Sequence, residues 1–118
     1  VSSLEAEIQA KGLTAPRITP DHIRSVIEAV YYFTGEEAIG PSGMVGHSSL
    51  ALLTFCVIVL RNGFTVTGES ACASPENFDA EVGRKIARAN AVAKISPLEG
   101  YLLKERLYLG VQAAAIAR

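Results

Sequence analysis

The sequence predicts an α+β fold in which a β-hairpin packs against α-helices in the order α-α-β-β-α-α, and three observations carry that expectation. Asn62-Gly63 separates two runs rich in β-branched and aromatic residues, Leu52 to Leu60 and Phe64 to Ser70, and Asn followed by Gly accepts the positive φ of a tight hairpin turn at low cost. Thr19-Pro20 and Ser74-Pro75 each place a side-chain oxygen acceptor ahead of a proline, the arrangement that opens a helix. Apolar residues three or four apart follow both of these starts.

Taken in order, residues Val1 to Lys11 read as a short amphipathic helix with Leu4 and Ile8 on one side and Gly12 as its stop, and residues 13–18 as a connector. A second helix runs from about Pro20 to Val30, with Ile23, Val26, Ile27 and Val30 as its apolar stripe and Asp21 at its positive end. Tyr31, Tyr32 and Phe33 can add a short third strand. Five glycines or prolines between Gly35 and Ser49 mark a flexible loop.

A two-residue turn at Asn62-Gly63 sets Val59 opposite Val66, Val57 opposite Gly68 and Phe55 opposite Ser70. That register gives one face of Leu53, Phe55, Val57, Val59, Phe64 and Val66 to meet the helices. The other face, with Thr54, Cys56, Ile58, Leu60, Thr65, Thr67 and Glu69, is too apolar for open water and calls for a partner, so a homo-oligomer is expected. Ser74-Pro75 opens the longest helix, with Phe78, Val82, Ile86, Ala89 and Ala93 inward, ending near Ile95. Pro97 then breaks the chain before a last helix from Leu98 to about Leu109. The tail from Val111 to Arg118 either extends that helix or frays.

At 118 residues the chain has the size of one domain, and 49% hydrophobic residues suffice for a core. A net charge of -1 argues against general nucleic-acid binding, which draws on a basic excess. Two cysteines are too few for the disulfide framework of a small secreted domain, and the run from Leu50 to Leu60 is far short of the roughly 20 residues a membrane helix needs. A cytoplasmic protein without a membrane partner is the expectation.

Candidate chemistry is sparse. Cys72 stands just ahead of a helix start, where peptide dipoles can activate a thiol, yet neither His22 nor His47 sits in a motif that pairs with it. Two histidines and two cysteines without short paired spacings give no metal site and imply no cofactor. Charge is unevenly spread: residues 1–70 carry -3 and the remainder +2. Arg84 and Arg88 lie four apart on the longest helix with no carboxylate at 80 or 92 to neutralise them, a pair suited to a phosphate or carboxylate. Ser70 and Ser74 near the helix start can supplement that pair. Glu69, a charge on a strand among threonines, needs a cation or water beside it and completes the set of candidate ligand-binding residues. No catalytic residue is assigned.

From Leu53 to Leu107 the chain carries the NGF hairpin, GESAC, SPENFD, the GRKIA helix and the EGYLL block. These resemble the small tailed-phage and prophage accessory family named after gene products of phages N4 and Sf6. The resemblance implies a phage or prophage protein of the host bacterial cytoplasm, of no established enzymatic activity, with counter-defence as the expected role. Two modes are compatible with it: sequestering an anionic signalling nucleotide through Arg84 and Arg88, or docking a host protein through the hairpin's mixed face. The alternatives are a cysteine-dependent enzyme using Cys72, or a nucleic-acid-binding protein.

Overall fold

The computed structural model describes residues 2–13 and 15–110, so the expectation for the tail from Val111 to Arg118 lies outside the described residues. The fold is α+β, as the sequence predicts. Its elements are α1 (Ser2–Ala10), α2 (Pro20–Ser25), β1 (Ile27–Thr34), α3 (Gly35–Ile39), β2 (Leu53–Leu60), β3 (Thr65–Ala71), α4 (Ala80–Val92) and α5 (Ile95–Tyr108). They group into two compact units, one of α1, α2 and α5 and one spanning Ile27–Lys94.

In the helical unit, α1 ends where Gly12 takes φ 68° and the N–H groups of Gly12 and Leu13 bond to the carbonyls of Gln9 and Ile8, which satisfies the last open carbonyls of the helix. Arg17 grips Glu5 through both guanidinium nitrogens, at 3.0 and 2.7 Å, and so ties the connector to α1. The threonine cap of α2 forms as expected, Thr19 Oγ1 accepting from the His22 N–H at 3.0 Å. His22 Nε2 then meets Glu99 Oε1 at 2.7 Å, joining α2 to α5. Pro97 does not break the chain here. It is the third residue of α5, where a helix has no internal acceptor for an N–H and loses nothing by lacking one.

The second helix is shorter than its apolar spacing predicts. It stops at Ser25, and Ile27 to Thr34 form a full strand antiparallel to β2. Ile27, Val30, Tyr31, Tyr32 and Phe33 are β-branched or aromatic, and a ladder with β2, shifted once by a bulge between Ile27 and Ala29, outweighs the few hydrogen bonds a longer helix would gain. The third strand is therefore an eight-residue edge strand, and the sheet order is β1-β2-β3.

The hairpin forms, but with a different turn. Gly63 N–H bonds to Leu60 O and Leu60 N–H to Phe64 O, each at 2.8 Å, so the loop has three residues, Arg61, Asn62 and Gly63. Gly63 alone takes positive φ, 90°, and Asn62 Oδ1 accepts from the Phe64 N–H. This is a turn closed by a glycine bulge. The register is Val59 opposite Thr65, Ile58 opposite Val66, Cys56 opposite Gly68 and Thr54 opposite Ser70, one residue from the predicted pairing. A slip of one exchanges the partners across the two faces.

The consequence is a reversal of inside and outside. Thr54, Cys56, Ile58 and Leu60 are buried with Val66 and Gly68, whereas Leu53, Phe55, Val57 and Val59 are half-buried on the other face beside the exposed Thr65, Thr67 and Glu69. The mixed face predicted to await a partner is the one α4 covers. The helix reaches it with small residues: Gly83, Ala87 and Ala91 are its buried positions, while Val82 and Ile86 are exposed. An apolar stripe of Val82, Ile86 and Ala93 fails because no room exists for it. A Cβ built on Gly68 would fall on Ala87 O and Ala91 N, and one on Gly83 would stand 3.0 Å from Thr54 Oγ1. Helix and sheet thus touch backbone to backbone.

The longest helix also begins later than Ser74-Pro75 predicts. Pro75–Asn77 form a single 3₁₀ turn, Phe78 is extended, and Asp79 caps α4 by accepting from the Val82 N–H at 2.9 Å. The segment read as loop from Gly35 to Ser49 carries α3 and a 3₁₀ turn at Gly40–Ser42, and a further 3₁₀ turn, Ser48–Leu52, begins at its end. A reciprocal cap starts it: Thr34 Oγ1 accepts from the Glu37 N–H while Glu37 Oε1 accepts from the Thr34 N–H.

Candidate functional site

Because α4 rests on β2 and β3, the β1 side of the same face is left as the floor of a groove of about 180 Å³. Tyr32 and Thr34, which alternate onto this face of β1, form one wall with Glu37 of α3. Buried Thr54 lies at the bottom. Phe78 and Ala80 at the start of α4, and Arg84 one turn along it, form the opposite wall.

Arg84 follows from the fold around it. Gly83 is pinned against Thr54, so the next residue along the helix flanks the contact and its guanidinium borders the groove. It is exposed and makes no ion pair among the described residues, whereas Lys85, on the outer side, pairs with Glu81 at 3.5 Å. Arg88 is a turn further on, outside the groove lining, and its charge partly offsets the burial that pushes the Cys56 thiol up.

The other predicted ligand residues are placed as follows. Ser70 is on the α4 side of β3, opposite Thr54. Ser74 gives its hydroxyl to Glu76, whose carboxyl it helps hold below the usual range. Glu69 leaves the sheet on the opposite face, opposite Phe55, and only its carbonyl meets α4, accepting from Asn90 Nδ2 at 2.8 Å. The structure therefore brings Arg84 to a concave site, keeps Ser70 near its floor residue, and sends the Glu69 side chain away. Tyr32, Thr34, Glu37, Thr54 and Phe78 are groove residues that sequence reasoning does not single out. The Thr34-x-x-Glu37 spacing was the available signal, since it fixes where β1 ends and which side chain turns back onto it.

Cys72 is half-buried and donates its S–H to Ser74 O at 3.2 Å. Neither histidine hydrogen-bonds to it: His22 binds Glu99, and His47 Nδ1 accepts from the Ser49 N–H. Both cysteines are free thiols. Among the described residues, no group of three or more His, Cys, Asp and Glu could hold a metal ion. No helix among them is long and apolar enough to cross a membrane.

A family model described as "Phage protein (N4 Gp49/phage Sf6 gene 66) family" matches residues 18–107, a span that includes the whole sheet, the groove, α4 and nearly all of α5. The chain belongs to the N4 Gp49/Sf6 gene 66 family of phage proteins. The match extends the sequence resemblance upstream of Leu53 to take in α2, β1 and α3, so every groove residue of this family member lies inside it. Neither the curated proteins nor the solved structures give a match.

Proposed function

We propose that this phage protein is a non-enzymatic accessory protein of counter-defence that sequesters an anionic signalling nucleotide in the host bacterial cytoplasm, at the groove between α4 and β1. The observation that carries the reading is Arg84: a guanidinium with no ion pair among the described residues, bordering a concavity that also holds Tyr32 and Phe78. A cation beside aromatic surfaces offers charge to a phosphate and a flat apolar contact to a base. Arg88 adds a second positive charge one turn along the same helix. The phage family supports the accessory role, and counter-defence is the use such a protein would have for a nucleotide trap.

Titration calorimetry with a panel of cyclic nucleotides tests it. Heat of binding with at least one of them, lost in Arg84→Ala and reduced in Arg88→Ala, is the expected result. No heat with any of them, or unchanged affinity in Arg84→Ala, refutes the nucleotide mode.

Docking of a host protein or of a second copy of the chain is the second reading, and it moves to the other face of the sheet. There Phe33 and Phe55 stack with ring centroids 5.4 Å apart, in a patch whose neighbours are Tyr31, Leu53, Val57 and Val59. Sedimentation of the pure protein decides the homo-oligomer: a monomer at all concentrations removes it, and Phe55→Glu then serves to test the host protein.

A further inference from the structure

We propose that Glu37 is the specificity-determining residue of the groove, selecting anionic ligands that also carry a hydrogen-bond donor, a hydroxyl or an amino group, over bare anions. This inference rests on the reading of the Arg84 groove as an anion site. Arg84 and Glu37 line one groove of about 180 Å³ and form no ion pair with each other. Opposite charges held apart across a small concavity present donors on one wall and an acceptor on the other, and the complementary ligand carries an anion and a donor in that order.

Glu37 is fixed in place by the cap it makes. Its Oε1 accepts from the Thr34 N–H at 2.8 Å, and its own N–H is held by Thr34 Oγ1 at 3.1 Å. The carboxylate cannot leave the groove without breaking that reciprocal pair, and its Oε2 has no protein partner among the described residues. A fully ionised anion such as sulfate drawn to Arg84 therefore meets a standing negative charge, while a ligand with a hydroxyl or amino group turns the same oxygen into a hydrogen bond.

Glu37→Gln isolates the effect, because the Gln carbonyl oxygen can still accept from the Thr34 N–H and preserve the cap, while the charge and the second acceptor are lost. The probes are AMP, cyclic AMP and ADP-ribose as donor-bearing anions, and sulfate, which carries no proton at neutral pH, as the bare one, titrated calorimetrically into wild type, Glu37→Gln and Arg84→Ala. Wild type should prefer at least one donor-bearing probe over sulfate, and Glu37→Gln should cut that preference by about tenfold with an unchanged melting temperature. Arg84→Ala should weaken every anion. An unaltered preference in Glu37→Gln, together with loss of binding in Arg84→Ala, overturns the role of Glu37 and leaves the site standing. Binding that ignores Arg84→Ala, or no binding of any probe, overturns the site and this inference with it.

Discussion

Gly68→Ala is the substitution to which this fold should be most sensitive, although it adds a single methyl group. Gly68 faces Cys56 across the hairpin and looks directly at the backbone of α4. The added Cβ would overlap Ala87 O and Ala91 N and stand 2.9 Å from Asn90 C, whereas carbon contacts settle near 3.5–4.0 Å. Backbone atoms on both sides leave no flexible side chain to yield, so α4 must retreat by about 1 Å. That loosens the contacts that bury Ile58, Cys56, Ala87 and Ala91, all fully buried. Overpacking of a tight core costs about 1–3 kcal/mol, and the backbone clash places this case at about 3 kcal/mol. With a urea m-value of about 1.5 kcal/mol/M the midpoint should fall by about 2 M. Equilibrium urea unfolding followed by circular dichroism measures it, with Gly100→Ala as the control: there an added Cβ meets nothing within 4 Å and the site is inside α5, so the midpoint should hold or rise by the helix preference of Ala over Gly, about 0.5–1 kcal/mol. A Gly68→Ala midpoint equal to wild type would refute both the register and the backbone contact, since a two-residue turn would place Gly68 beside Val57 instead.

Two further outcomes are expected. Cys56 should resist iodoacetamide in the folded protein and react only on unfolding, because its thiol is fully buried and burial pushes its pKa up; alkylation of Cys56 under native conditions, read by peptide mass, would contradict the placement of α4. Glu5 should titrate at about 2 rather than near 4.5, because the hydrogen bonds from Arg17 and then Gln9 favour its charged form. A depressed folded pKa stabilises the fold above the ordinary carboxylate range, and that contribution is lost as pH falls from about 4.5 toward 2. Glu5→Gln should therefore lower stability at pH 7 and flatten its decline on acidification through that window, with a carboxylate near its ordinary pKa in a carbon-detected NMR titration as the refuting result.

How far the sequence speaks for itself depends on which competing local signal wins. The caps at Thr19 and the hairpin at Asn62-Gly63 were legible because each rests on chemistry within four residues. The stretch from Val26 to Val30 was not, since its apolar spacing fits a helix and its β-branched and aromatic content fits a strand, and only the partner β2 decides between them. Asn-Gly likewise serves two-residue and three-residue loops, and that one-residue ambiguity carried the whole assignment of faces with it. Of the candidate site, Arg84 was legible from the lack of carboxylates at 80 and 92. Its companions Tyr32 and Glu37 were not, because they lie some 50 residues upstream on β1 and α3 and meet it only through the sheet.

The same small residues that misled the stripe on α4 also account for the groove. A helix with Val82 and Ile86 turned inward would ride higher above the sheet, at the usual helix-to-sheet spacing, and its bulky side chains would spread over all three strands. With Gly83, Ala87 and Ala91 inward and Gly68 beneath, α4 instead sinks onto β2 and β3, and β1 is left with Tyr32 and Thr34 facing an opening. The depth of that opening is set by how low the helix lies, and the position of Arg84 is set by its neighbour Gly83 on Thr54. Packing and site are therefore one arrangement. A substitution that lifts α4, such as Gly68→Ala, should weaken a groove ligand as well as the fold, whereas Arg84→Ala should weaken the ligand alone.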